Sequence, residues 1–126
     1  MNEGCNLCKG SDVMVFSCSG GSNVGQLANR AAVEITKEGK RRMYCLAGLG
    51  GHVQGLIDNT QKADKVIVVD GCPVGCAKKI VEYAGIKIDG YIELSEEGFE
   101  KTPGKLDVTK EQVDKVKLLI EKEIFE

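Results

Sequence analysis

The stretch VVDGCPVGCAKK, residues 68–79, places two cysteines, with three residues between them, behind a run of β-branched residues. KVIVVD (65–70) reads as a buried strand. Gly71 supplies a turn, and a helix bearing Ala77, Ile80, Val81 and Ala84 follows, closed by Gly85. With Pro73 favoured at the first helical position, the spacing predicts Cys72 near the N-cap and Cys76 one turn inside, the two sharing a face.

The same strand-to-helix pattern recurs upstream. DVMVFS (12–17) reads as a strand, the turn Cys18–Gly21 follows, and apolar residues at helical spacing (Val24, Leu27, Ala28, Ala31, Ala32, Ile35) predict a helix over 23–38. Ser22 or Asn23 is its candidate N-cap, and Gly39 lies just past its end. A second unit starts at RMYCLAG, turns through Gly48, Gly50 and Gly51, and continues as a shorter helix with Val53, Leu56 and Ile57. Downstream, GYIELS (90–95) reads as a fourth strand and 96–107 as a loop. The TKEQ capping box at Thr109 opens a last helix with Val113, Val116, Ile120 and Ile124 on one stripe.

Strands alternating with helices, and reading as continuous apolar runs, predict a parallel sheet covered on both faces. The expected fold is a single α/β domain over 1–126, a three-layer αβα Rossmann-like arrangement with a mainly parallel four-stranded sheet. Right-handed crossovers place every strand-to-helix turn on one edge of such a sheet, where ligands bind.

Cys18, Cys45 and Cys72 fall at or just beyond the ends of the first three strands, each 27 positions from the next, with no accompanying sequence repeat. Three thiols distant in sequence should therefore converge on one edge, with Cys76 as a fourth. A lone cysteine at a strand end is usually a small hydrophobe; four at equivalent places suggest ligands. Four thiolates suit a tetrahedral zinc ion, and secondarily an Fe-S cluster. Helix N-termini favour the thiolate form needed for either.

The stretches FSCSGGSNVGQLANRAA (16–32), YCLAGLGGH (44–52) and VVDGCPVGCAKK together resemble the DGC-domain family. These are small prokaryotic proteins named for an Asp-Gly-Cys motif and described as zinc-binding because of four cysteines. The resemblance covers about residues 13–95, flanked by an N-terminal CxxC segment (1–11) and the loop and helix of 96–126. It implies that Cys18, Cys45, Cys72 and Cys76 are the metal ligands. It leaves substrate and catalytic status open.

Other residues carry weaker signals. Cys5 and Cys8 form a CxxC that would add ligands, form a second redox pair, or have no role. His52 is a candidate proton donor or alternate ligand, with a surface role as the plainer reading. Asp70 would orient a ligand or satisfy turn N–H groups, the latter favoured. A second function class is thiol-disulfide chemistry, with Cys72 attacking and Cys76, Cys18 or Cys45 resolving. A third borrows from CSGGSN, which resembles the oxyanion loop of low-molecular-weight phosphatases. The arginine such loops need six positions after the cysteine is here Val24, which leaves only anion binding by the backbone of Gly20, Gly21 and Gly25.

The net charge of -2 argues against nucleic acid or anionic membrane as partner. The Lys40–Arg42 run reads as a solvated loop. MNEGCNLCKG has neither the basic nor the apolar region of a secretory signal, and no stretch has the apolar length of a membrane helix. A cytoplasmic protein acting on a protein or small-molecule partner is the expectation. Thiols stay reduced in that compartment, where six cysteines point to metal or thiol chemistry.

Overall fold

The computed structural model describes residues 12–39 and 41–125; Cys5, Cys8 and Lys40 lie outside them. The chain is an α/β fold with one four-stranded, all-parallel sheet flanked by helices, the three-layer arrangement expected. Its elements are β1 (Val13–Ser17), α1 (Asn23–Lys37), β2 (Arg42–Met43), α2 (Leu46–Gly50), α3 (Gln54–Gln61), β3 (Lys65–Asp70), α4 (Cys76–Tyr83), β4 (Gly90–Glu93) and α5 (Lys110–Phe125). A 3-10 turn, Leu94–Glu97, follows β4.

The period-2 geometry of the strands divides the core. Val13 and Val15 of β1, Ile67 and Val69 of β3 and Ile92 of β4 pack against α1 and α5. Met14, Phe16, Val66 and Val68 point the other way, onto Leu49, Ile57, Ala77 and Val81 of α2, α3 and α4. All four predicted apolar positions of α5 are buried. Its capping box forms as read: Gln112 N–H donates to Thr109 Oγ1 at 3.1 Å, and Thr109 N–H donates to Gln112 Oε1 at 2.9 Å. Ser22 is the N-cap of α1.

The strand order is β2-β1-β3-β4. From β1 the chain first moves outward to β2, then crosses back to β3 on the other side. The crevice between the carboxyl ends of β1 and β3 is therefore the topological switch point, where ligands bind in folds of this type.

Three local expectations are corrected. The glycine turn at 48–51 is a short helix, α2, begun by Cys45, whose Sγ accepts from Gly48 N–H at 3.3 Å. Helix α4 starts at Cys76, not beside Pro73. Its N-cap is Gly75 at φ 66°, a left-handed conformation that glycine adopts without a Cβ clash. The KRR run is no simple solvated loop. Arg41 pairs with Glu121 at 3.2 Å, and Arg42, in β2, forks onto Asp12 at 2.9 and 3.0 Å.

At the switch point backbone packs on backbone. A Cβ on Gly71 would lie 2.7 Å from the Val24 carbonyl carbon and 2.8 Å from Gly25 N, and one on Gly25 would lie 2.8 Å from Gly20 N. Neither neighbour can rotate away, as a side chain would. Gly71→Ala is therefore expected to destabilise the fold by about 1–3 kcal/mol in urea unfolding. Gly21→Ala, whose Cβ would meet nothing within 4 Å, should stay within about 0.5 kcal/mol of wild type. Equal effects from the two would refute this packing.

Candidate functional site

Three adjacent strands deliver the cysteines. Cys18 follows β1 directly, its N–H donating to Val69 O of β3 at 2.9 Å. Cys45 lies two residues beyond β2 and Cys72 two beyond β3, while Cys76 begins α4. With the order β2-β1-β3, Cys18 stands in the middle, Cys45 on one flank and the Cys72–Cys76 turn on the other. All four are free thiols; Cys18 and Cys72 are half-buried, Cys45 and Cys76 exposed. Since Cys72 lies outside α4, it does not share a helical face with Cys76, as the Pro73 signal suggested.

The edge brings these thiols near one another without closing them on a point. Among the described residues no three His, Cys, Asp or Glu side chains form a group that could hold a metal ion. The spacing of the strands separates Cys45 from Cys72. β2 and β3 flank β1, so their ends lie two strand spacings apart, roughly 10 Å. Sulfurs sharing one zinc are about 3.8 Å apart. Ligation by all four therefore requires the outer loops to close towards Cys18.

Burial pushes the Cys18 thiol up from its ordinary value, and the charges of Asp70 and Cys76 act in the same direction. Hydrogen bonds from the Gly20 and Gly71 backbones pull the other way. Gly20 N–H is committed to Cys18 Sγ at 3.3 Å, and Gly25 N–H to Ser22 Oγ at 3.3 Å. Two of the three backbone groups considered for an oxyanion thus already have partners within the protein.

Asp70, only 1% exposed, satisfies backbone N–H groups as favoured, but at the start of the helix and not in the turn. It accepts from Ala77 N–H at 2.9 Å, Lys78 N–H at 3.0 Å and Tyr91 Oη–H at 2.9 Å. The carboxylate fixes the start of α4, and with it Cys76, where the helix dipole also favours negative charge. His52 is placed elsewhere. At φ 55°, its ring lies against Tyr83, with centroids 4.3 Å apart. Tyr83 ends α4, about 10 Å of helical rise from Cys76.

Two participants had no signal of their own in the sequence. Lys101 donates to Cys72 Sγ at 3.5 Å, and Asn23, considered only as a cap, holds the segment that carries Lys101. Both contacts join residues far apart in the chain, beyond the reach of local patterns.

The family model of the DGC domain matches residues 14–119, and the chain belongs to that family. The match runs from β1 into α5, beyond the stretch carrying the three motifs. Among curated proteins, the Anaerobic and virulence modulator AnvM of Pseudomonas aeruginosa is 35% identical over 92 residues, which cover 73% of this chain and 70% of that protein. No solved structure matches the chain.

Burial, and then the hydrogen bond to Asp70, raise the Tyr91 phenol above its ordinary range. The folded protein keeps this proton at a pH where the unfolded chain releases it. The resulting stability is complete below about pH 10 and is lost as pH rises towards the folded-state value. Between about pH 9.5 and 11, the unfolding free energy of wild type should fall more steeply than that of Tyr91→Phe. Parallel curves would exclude the coupling.

Proposed function

For this member of the DGC-domain family we propose a zinc-binding role, with Cys18, Cys45, Cys72 and Cys76 as ligands at the carboxyl edge of the sheet. The observation that carries it is the strand order, which sets four free thiols from three adjacent strand ends around a central Cys18. The donor set fits the ion chemically, since four thiolates make a closed tetrahedral zinc site. Gly71 fits it sterically, because it lets the β3–α4 loop meet the first turn of α1 backbone to backbone. When bound, zinc would cross-link the three loops and hold the sulfurs as thiolates. Thiol ligands must be deprotonated to bind the ion, so affinity would rise with pH.

The fold has two apolar layers of its own, so a site that only pinned the structure would add little. The Pseudomonas aeruginosa relative is named as a modulator. In this chain we assign the metal a signalling or exchange role in the cytoplasm, towards a protein or small-molecule partner. A second reading draws on the Lys101–Cys72 contact, which places a cation beside a thiol. There Cys72 attacks a disulfide and expels one thiolate, and Cys76 or Cys18 then displaces the second to leave an intramolecular disulfide.

Protein purified anaerobically without chelator should contain about one zinc per chain, measured by elemental analysis. Peptide mapping should show the four core thiols protected from alkylation until the metal is removed, and Cys72→Ser should lose that protection. Iron in place of zinc would indicate a cluster. No metal, with two thiols lost reversibly on mild oxidation, would overturn the zinc reading in favour of thiol exchange.

A further inference from the structure

From the 3-10 turn onward the chain does not leave the site. It runs back across the carboxyl edge as an irregular segment pinned at successive points. Ser95 N–H donates to Gly71 O at 3.1 Å. The Asn23 side chain then grips the backbone twice, donating through Nδ2 to Glu100 O at 2.8 Å and accepting at Oδ1 from Thr102 N–H at 2.6 Å. Pro103 bridges Ser22, and Gly104 N–H donates to Gly21 O at 3.0 Å. Between the two bonds to Asn23 sits Lys101, with its ammonium on the Cys72 sulfur.

The attachment is polar. Phe99 packs against the core at the base of the segment, but residues 100–107 are all exposed. Such a segment is held by a few solvent-accessible hydrogen bonds of modest net strength, so it can open without unfolding the domain. Gly98 and Gly104, at φ 93° and 80°, flank the part that carries Lys101, where a left-handed backbone marks a place to bend.

We propose that residues 95–104 are a latched cover over Cys72, with Asn23 as the latch, and that opening it controls ligand entry and exit at Cys72. Cys45 and Cys76 remain open to solvent whether the cover is shut or not. Given the zinc reading, on which this regulatory meaning rests, Cys45 and Cys76 would be reachable by an ion with the cover shut, and Cys72 would join them as a ligand only with it lifted. The cover itself is a property of the metal-free chain.

Its test uses full-length, reduced, metal-free protein labelled with N-ethylmaleimide, with each cysteine followed by mass spectrometry. Asn23→Ala removes both latch bonds and should speed labelling of Cys72 about tenfold, leaving Cys45 and Cys76 within about twofold. Asn23→Asp keeps the acceptor for Thr102 N–H but loses the donor to Glu100 O, and should fall between. Transfer of zinc from loaded Asn23→Ala to a chelator should be faster by a similar factor. An unchanged Cys72 rate overturns the cover. So does a rise at all three cysteines together, which would mean general loosening, as would a lowered circular-dichroism melt. If wild type takes up no zinc, the zinc reading fails, while the labelling ratios still decide whether the cover exists.

Discussion

A carboxylate taken out of water must find hydrogen-bond donors or lose its charge, and Asp70 finds three. Two are backbone groups at the start of α4, and the third is the Tyr91 phenol on β4. One side chain at the end of β3 therefore sets the direction of the following helix, ties in the outermost strand, and places negative charge near Cys18. The geometry of the Asp-Gly-Cys turn follows from it. Asp70 faces inward to the helix, Gly71 presses against α1, and Cys72 emerges at the crevice.

The second constraint is the absence of side chains where the loops meet. A parallel sheet keeps its strand ends a fixed distance apart, so loops from different strands come together only if their backbones can touch. Gly71 against Val24 and Gly25 provides this between the β1 and β3 units, and Gly25 against Gly20 folds the β1–α1 turn onto its own helix. After β2, beyond the bond from Tyr44 N–H to Val15 O, Gly48 instead accommodates the side chain of Leu56. The edge is consequently tight on the Cys18–Cys72 side and open on the Cys45 side. That asymmetry matches the half-burial of Cys18 and Cys72 and the exposure of Cys45.

The layers, the parallel sheet and the positions of Cys18, Cys45 and Cys72 at strand ends were legible because they rest on period and composition. β-branched runs such as KVIVVD and helical spacing such as that of α1 have no competing interpretation here. The local errors share a cause: a short-range signal overridden by a contact from farther away. Gly48 and Gly50 suggested a turn, yet a cysteine cap and the seat of Leu56 make that stretch helical. Pro73 suggested a helix start, yet Asp70 captures the N–H groups of residues 77 and 78 and moves the start to Cys76. The hold of Asn23 on Glu100 and Thr102 left no local trace, because the partners at 100 and 102 are backbone atoms, identical in every residue.

The cover is also the last part of the site to exist as the chain is made. Asn23 waits for partners 77 and 79 positions further on, and β1, the strand beside it, pairs with β3 across 52. Contacts of such sequence separation form late, after the chain entropy of closing those loops has been met. Synthesis runs from the N-terminus, so all four core cysteines leave the ribosome before Lys101 does. During that interval Cys72 belongs to a nascent chain without its cover, exposed in a way the finished fold does not allow.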